Sequence, residues 1–176
     1  MTIGASSSNA AGRRIRLGMV GGGEGAFIGA VHRIAARLDD HYELVAGALA
    51  SDPARAKRSA LALGLADERS YADYAAMAQA EGARADGIEA VAIVTPNHLH
   101  APVAEAFLKA GIHVICDKPL ATSVREARRL QALAAKHTGC DHLSRLTNHG
   151  IACVVERHEE LAPPRLGQRD EPFCFL

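Results

Sequence analysis

Lys118 stands directly after an apolar run, Ile112 to Cys116, between Asp117 and Pro119. An ammonium at that place can hold a cofactor or a substrate hydroxyl and lower the pKa of the hydroxyl it binds. Asp117 beside it can orient it or balance its charge. A second apolar run, Ala90 to Val94, ends in Thr95-Pro96-Asn97-His98-Leu99-His100. Pro96 forces Thr95 out of helical geometry. The chain therefore turns sharply there, and Asn97 can bond a ligand or cap the next helix. His100 falls in the first turn of that helix, where a packed ring competes with a ligand role. If both runs are parallel strands, their ends deliver polar groups to one sheet edge, the edge where open α/β sheets bind ligands.

A third group precedes these two. Arg16 to Val20 is apolar and runs into Gly21-Gly22-Gly23-Glu24-Gly25-Ala26-Phe27-Ile28-Gly29. Gly21, Gly23 and Ala26 fit the G-x-G-x-x-A spacing of a dinucleotide loop, and Gly29 is the other candidate for the third position. Glycines let the backbone approach a pyrophosphate, and a side chain at Gly23 would occupy that space. Phe27 and Ile28 open the following helix, whose first N–H groups and positive dipole end favour an anion. The next strand, Tyr42 to Leu49, ends at Ala50, where a dinucleotide site usually carries a carboxylate for the ribose 2′-hydroxyl. Here Ser51 follows, with Arg55 and Lys57 on the next helix. That set suits a 2′-phosphate, so NADP is favoured over NAD. Asp52 reads as an N-cap with Pro53 at the first helical position.

These groups need elements to hold them. Helical spacing gives a helix with Ile28, Val31, Ile34, Ala35 and Leu38 on its apolar positions. Further helices are expected from Pro53 to Leu63 with Gly64 as stop, over Ala72–Glu81, and from Leu99 to Ala110 with Gly111 as stop. Ser123 to Glu126 forms a capping box for a last helix that buries Val124, Ala127, Leu130 and Ala134. Glu68–Ser70 reads as a short strand. Strands alternating with helices imply right-handed crossovers, hence a Rossmann-like, doubly wound parallel α/β sheet covered on both faces. Residues 1–13 read as a disordered leader, 14–139 as the dinucleotide-binding domain and 140–176 as an atypical tail with one strand, Ile151–Val155.

Composition narrows the function. The chain has 176 residues with zero formal net charge, so no basic field points to nucleic acid. Aromatics are 4% and Trp is absent, which argues against base-stacking surfaces. No apolar run reaches the roughly 18 residues a membrane span needs. The four cysteines follow no secretory segment, so the cytoplasm and free thiols are expected. Cys140, His142, His149 and Cys153 match no compact zinc spacing, so no metal site is assigned. His32 reads as structural.

The GGGEGAFIGAVHR loop, the TPNHLH segment and AGIHVICDKPLA, in that order, resemble the Gfo/Idh/MocA oxidoreductases over about residues 14–138. The resemblance implies an N-terminal Rossmann domain that binds NAD or NADP, and a separate α/β domain for substrate. It implies that Gly21, Gly23 and Gly29 (or Ala26) hold the pyrophosphate. Thr95, Pro96, Asn97 and His100 would form the nicotinamide-side turn. Lys118 would be the catalytic lysine of the family's Glu-Lys-Pro motif, with Asp117 in place of the glutamate. It implies hydride transfer at a sugar, polyol or inositol-like hydroxyl. Residues after about 139 do not resemble the family's continuation. The expectation is a truncated or frame-shifted product without the second domain, weakly active or inactive alone and prone to self-association. A non-catalytic NAD(P)-binding or regulatory module and a zinc-stabilised interaction protein are the rival readings.

Overall fold

Each long apolar run becomes a strand. The computed structural model describes residues 13–38 and 40–138, and the backbone of 153–155. Strands β1 (Ile15–Gly21), β2 (Tyr42–Ala48), β3 (Ala90–Val94), β4 (His113–Cys116) and β5 (Cys153–Val155) form one sheet in the order β2-β1-β3-β4-β5. The first four are parallel, and β5 is antiparallel to β4. All five residues of β3 are buried, as a central parallel strand covered on both faces requires. The reversal of strand order, β2 on one side of β1 and β3 on the other, is the switch point of a doubly wound sheet.

The helices are α1 (Phe27–Leu38), α2 (Pro53–Ala62), α3 (Tyr74–Ala83), α4 (Asn97–Lys109) and α5 (Val124–Thr138). The expected caps form. Asp52 Oδ1 accepts from the Arg55 N–H at 2.8 Å. Ser123 Oγ accepts from the Glu126 N–H at 3.3 Å while Glu126 Oε2 accepts from the Ser123 N–H at 3.1 Å. Gly64 and Gly111 take positive φ at the ends of α2 and α4. One apolar cluster centres on Phe107, Val103, Val91, Ile93 and Val114, and a second on Leu17, Met19, Ala92 and Leu49. Complete burial of a side chain such as Phe107 contributes about 1.5–3 kcal/mol.

Three expectations are corrected. Asp67–Arg69 forms a 3-10 turn, and only Ser70 bridges to Gly47 in the parallel sense. The Arg69 and Ser70 N–H groups donate to Ala66 O at 2.9 Å and Asp67 O at 3.3 Å, within the turn rather than to a ladder. Val124 is 69% exposed, because α5 meets the core through Leu130 and Ala134. The expected apolar stripe of α1 also turns outward at Ile34, 62% exposed, and Leu38, 76% exposed, while Val31 and Ala35 are half-buried. The inward side carries Gly29, Arg33 and Ala36, on the opposite side of the helix at 3.6 residues per turn. Gly29 sets this rotation, since a Cβ there would lie 2.4 Å from Gly22 Cα. The cysteine and histidine positions considered for zinc lie outside the described side chains.

Candidate functional site

Parallel register brings the three chemical groups together. Gly21 at the end of β1 pairs with Val94 at the end of β3, and Ile93 pairs with Cys116 at the end of β4. The glycine loop, the Thr95 turn and the Asp117–Lys118 turn therefore leave the sheet side by side. The end of β2 joins them, because the Gly23 N–H donates to Leu49 O at 3.1 Å.

The glycines divide their work. Gly21, Gly22 and Gly25 have φ of 79°, 72° and 77°, a region costly for other residues. Gly29 is the third glycine of the loop in function: it lets α1 press on Gly22. Gly23 is hemmed in by the protein itself. A Cβ there would meet Leu49 O at 2.6 Å and Ser59 Oγ at 2.8 Å, so its missing side chain allows packing on β2 and α2. Ala26 immediately precedes α1, and no acid occupies the first turn of that helix. The N–H groups opening α1 are thus not covered by a carboxylate of their own turn.

Sequence reasoning missed the supports of this loop. Buried Ser59 accepts from the Glu24 N–H at 2.9 Å, and Arg33 Nη1 donates to Gly22 O at 2.7 Å. Arg55 donates through Nη2 to Glu24 O, and Arg58 Nε lies 3.6 Å from the Glu24 carboxylate. Ser59 and Arg33 each sit on a helix interior with no local signal of such a contact. Arg55 was singled out for a phosphate, and its guanidinium does reach the loop. Ser51 is exposed beside it, just before α2.

At the other end of the edge, Asn97 opens α4 as an exposed residue, and Pro96 occupies the cap position without a side-chain bond. Lys118 is exposed. Asp117 holds the turn, accepting from the Lys118 N–H through Oδ1 at 2.8 Å. The Thr95 hydroxyl is buried without a hydrogen-bond partner among the described residues, an arrangement that leaves a donor and acceptor for a ligand. His100 lies behind this edge. It is 1% exposed and both ring nitrogens approach backbone oxygens, so the ring is packed and does not face a ligand as the family resemblance implies.

His32 Nε2 lies 3.9 Å from Asp117 Oδ2. Burial holds the His32 pKa below its ordinary 6.5, with the Asp117 charge opposing. Burial outweighs the carboxylate because the contact is long. The unfolded chain takes up a proton as pH falls through 6.5, before the folded chain does, so stability declines from there down to the folded pKa. His32→Asn is expected to flatten that stretch of a stability–pH curve measured by urea unfolding. An unaltered decline would assign it to other groups.

The residues present fit a dinucleotide: a glycine turn, an uncovered helix N-terminus, and an orphan hydroxyl beside a lysine at one sheet edge. No helix among the described residues is long and apolar enough to cross a membrane.

Comparison with known proteins agrees with this geometry. A family model described as an oxidoreductase family with an NAD-binding Rossmann fold matches residues 15–144. The chain is 44% identical over 123 residues to the uncharacterized oxidoreductase YfiI of Bacillus subtilis (strain 168), covering 69% of this chain and 31% of that protein. The solved structure of an oxidoreductase from Sinorhizobium meliloti is 61% identical with a TM-score of 0.67, over 71% of this chain and 35% of that one. An inositol dehydrogenase homolog from Azotobacter vinelandii, complexed with NADH and myo-inositol, is 42% identical with a TM-score of 0.69, over 71% of this chain and 33% of that one. The chain spans about a third of the length of these relatives.

Proposed function

Because the chain belongs to the Gfo/Idh/MocA oxidoreductase family through its NAD-binding Rossmann domain, we propose that residues 14–139 bind NAD(P)(H) along the edge of β2, β1, β3 and β4 and serve hydride transfer at a sugar-, polyol- or inositol-like hydroxyl. The observation that carries this reading is the shared edge: glycine loop, Thr95 turn and Lys118 leave three registered parallel strands together.

Gly21, Gly22 and Gly25 shape the turn, and the N–H groups opening α1 at Phe27 and Ile28 take the pyrophosphate. Ser51 and Arg55 take the adenosine side. Thr95, Asn97 and Asp117 line the nicotinamide side. The bound nicotinamide supplies the hydride acceptor or donor. Lys118 holds the reacting hydroxyl by a charge-assisted hydrogen bond and lowers its pKa, so that a base removes its proton more readily. The substrate class follows the inositol dehydrogenase homolog solved with myo-inositol.

Calorimetric titration of the chain with NAD, NADH, NADP and NADPH tests the reading, and absence of heat with all four would reject it. Arg55 gives the finer test. Its guanidinium already reaches the loop at Glu24 O, and its remaining N–H donors suit a 2′-phosphate. Such a contact contributes about 1.5–3 kcal/mol, roughly ten- to a hundred-fold in affinity. NADP(H) is expected to bind at least as tightly as NAD(H), and Arg55→Ala to remove the difference between them. A clear NAD preference that Arg55→Ala leaves unchanged would overturn the NADP assignment.

A further inference from the structure

We infer that His100 is a positioning residue: its ring is a strut that sets the Lys118 turn against the Thr95 turn, and so shapes the nicotinamide half of the site without touching the ligand. The inference rests on the dinucleotide reading above and assigns a role to a residue that faces away from the edge.

The geometry is specific. His100 projects from the first turns of α4 and is 1% exposed. Its Nδ1 lies 2.7 Å from Pro119 O, and its Nε2 lies 2.8 Å from Thr95 O. The two oxygens belong to the two chain segments that leave β3 and β4. A carbonyl oxygen only accepts, so the ring N–H donates to one of the two oxygens, and the other ring nitrogen stands in close contact with the second. Water has almost no access to replace either contact. An imidazole is flat and stiff, and its two nitrogens are fixed with respect to each other. A displacement of one turn therefore either drags the other or breaks a buried hydrogen bond.

What the strut holds is the chemical part of the edge. Thr95 carries the buried hydroxyl without a partner, and Pro119 directly follows Lys118. Asp117 fixes the Lys118 N–H within its own turn, but that bond does not reach the Thr95 segment. The adenosine and pyrophosphate side hangs on other groups: Ser59, Arg33 and Arg55 support the glycine loop through Glu24 and Gly22. The two halves of the edge thus rest on separate hydrogen bonds, with a long His32–Asp117 approach of 3.9 Å between them, and His100 belongs to one half.

That separation makes the test. Affinities for ADP-ribose and for NADH are measured by calorimetry on the wild-type chain, His100→Leu and His100→Gln, with thermal unfolding alongside. ADP-ribose engages only the glycine-loop half, whereas NADH needs both. His100→Leu fills the space without donors and is expected to weaken NADH roughly ten-fold or more, the scale of a lost buried hydrogen bond. ADP-ribose should stay within about two-fold. His100→Gln retains an N–H donor and should recover part of the NADH affinity, which mere space-filling would not do. Equal losses for both ligands, no loss for either, or unfolding of both variants would overturn the inference and leave His100 as a packing residue. A wild-type chain that binds neither ligand would instead overturn the dinucleotide reading itself, and this one with it.

Discussion

Glu81→Leu is expected to destabilise the domain by about 3–5 kcal/mol, the usual cost of removing one partner of a buried ion pair. Glu81 on α3 is 1% exposed and every oxygen is engaged. Arg69 donates to it through Nε at 3.1 Å and through Nη2, Tyr71 Oη donates at 2.8 Å, and the Ile88 N–H donates at 3.1 Å. Leucine would strand a guanidinium whose side chain is only 10% exposed, with Asp86 at 3.9 Å as its remaining carboxylate. The network joins the 3-10 turn, α3 and the segment entering β3, so its loss loosens three elements at once. Urea unfolding measures the change. Arg69→Met added to Glu81→Leu should recover most of it, since an apolar pair of similar volume avoids the stranded charge. A second readout is Tyr71, whose phenol is pushed up to about 12 by burial and then by Glu81. Its absorbance titration should move down in Glu81→Leu. A loss below about 1 kcal/mol would mean that the pair contributes no more than an exposed one.

Ala26→Asp should separate folding from binding, because its two effects have opposite sign. Ala26 precedes α1 and has no side-chain oxygen to accept from the first helical N–H groups. An aspartate there caps the helix and complements its dipole, a gain of about 1 kcal/mol in stability. The same carboxylate takes the donors that a pyrophosphate needs and repels it. Placing like charges together costs several kcal/mol, so NADH affinity should fall roughly a hundred-fold or more. Ala26→Asn provides the neutral comparison, with the cap gained and most of the repulsion absent. Calorimetric titration and thermal unfolding on the three chains give both numbers. A more stable Ala26→Asp chain that binds NADH as the wild type does would show that the loop has no anion-binding role.

Several parts of this architecture were legible from local chemistry. A continuous apolar run such as Ala90–Val94 suits only a strand covered on both faces. Asp52-Pro53 and Ser123 with Glu126 announce helix starts, because each places an oxygen where helical N–H groups lack partners. Gly64 and Gly111 announce helix ends, because both need positive φ. The glycine loop, the Thr95-Pro96 turn and Asp117-Lys118-Pro119 were visible as groups with chemistry, and alternation of strands and helices was enough to place them on one edge.

Other features depend on contacts between distant residues, and no local pattern encodes those. The stripe Ile28, Val31, Ile34, Ala35 and Leu38 has the spacing of a buried helix face, yet the close approach of Gly29 to Gly22 turns Ile34 and Leu38 to the outside. The space beside Gly23 belongs to Leu49 and Ser59, which reach it only after β2 and α2 have docked. Nothing local to Glu81 marks it as buried, and Arg69 and Tyr71 close around it only in the folded chain. Whether His100 packs or faces a ligand is open until the ends of β3 and β4 are set side by side and both its nitrogens find carbonyls. Sequence by itself determined what most segments are, the Asp67–Arg69 turn excepted, because backbone hydrogen bonding and apolar spacing act within a segment. Tertiary structure alone decided which way the helices and their polar side chains face, because close packing and the pairing of buried polar groups act between segments.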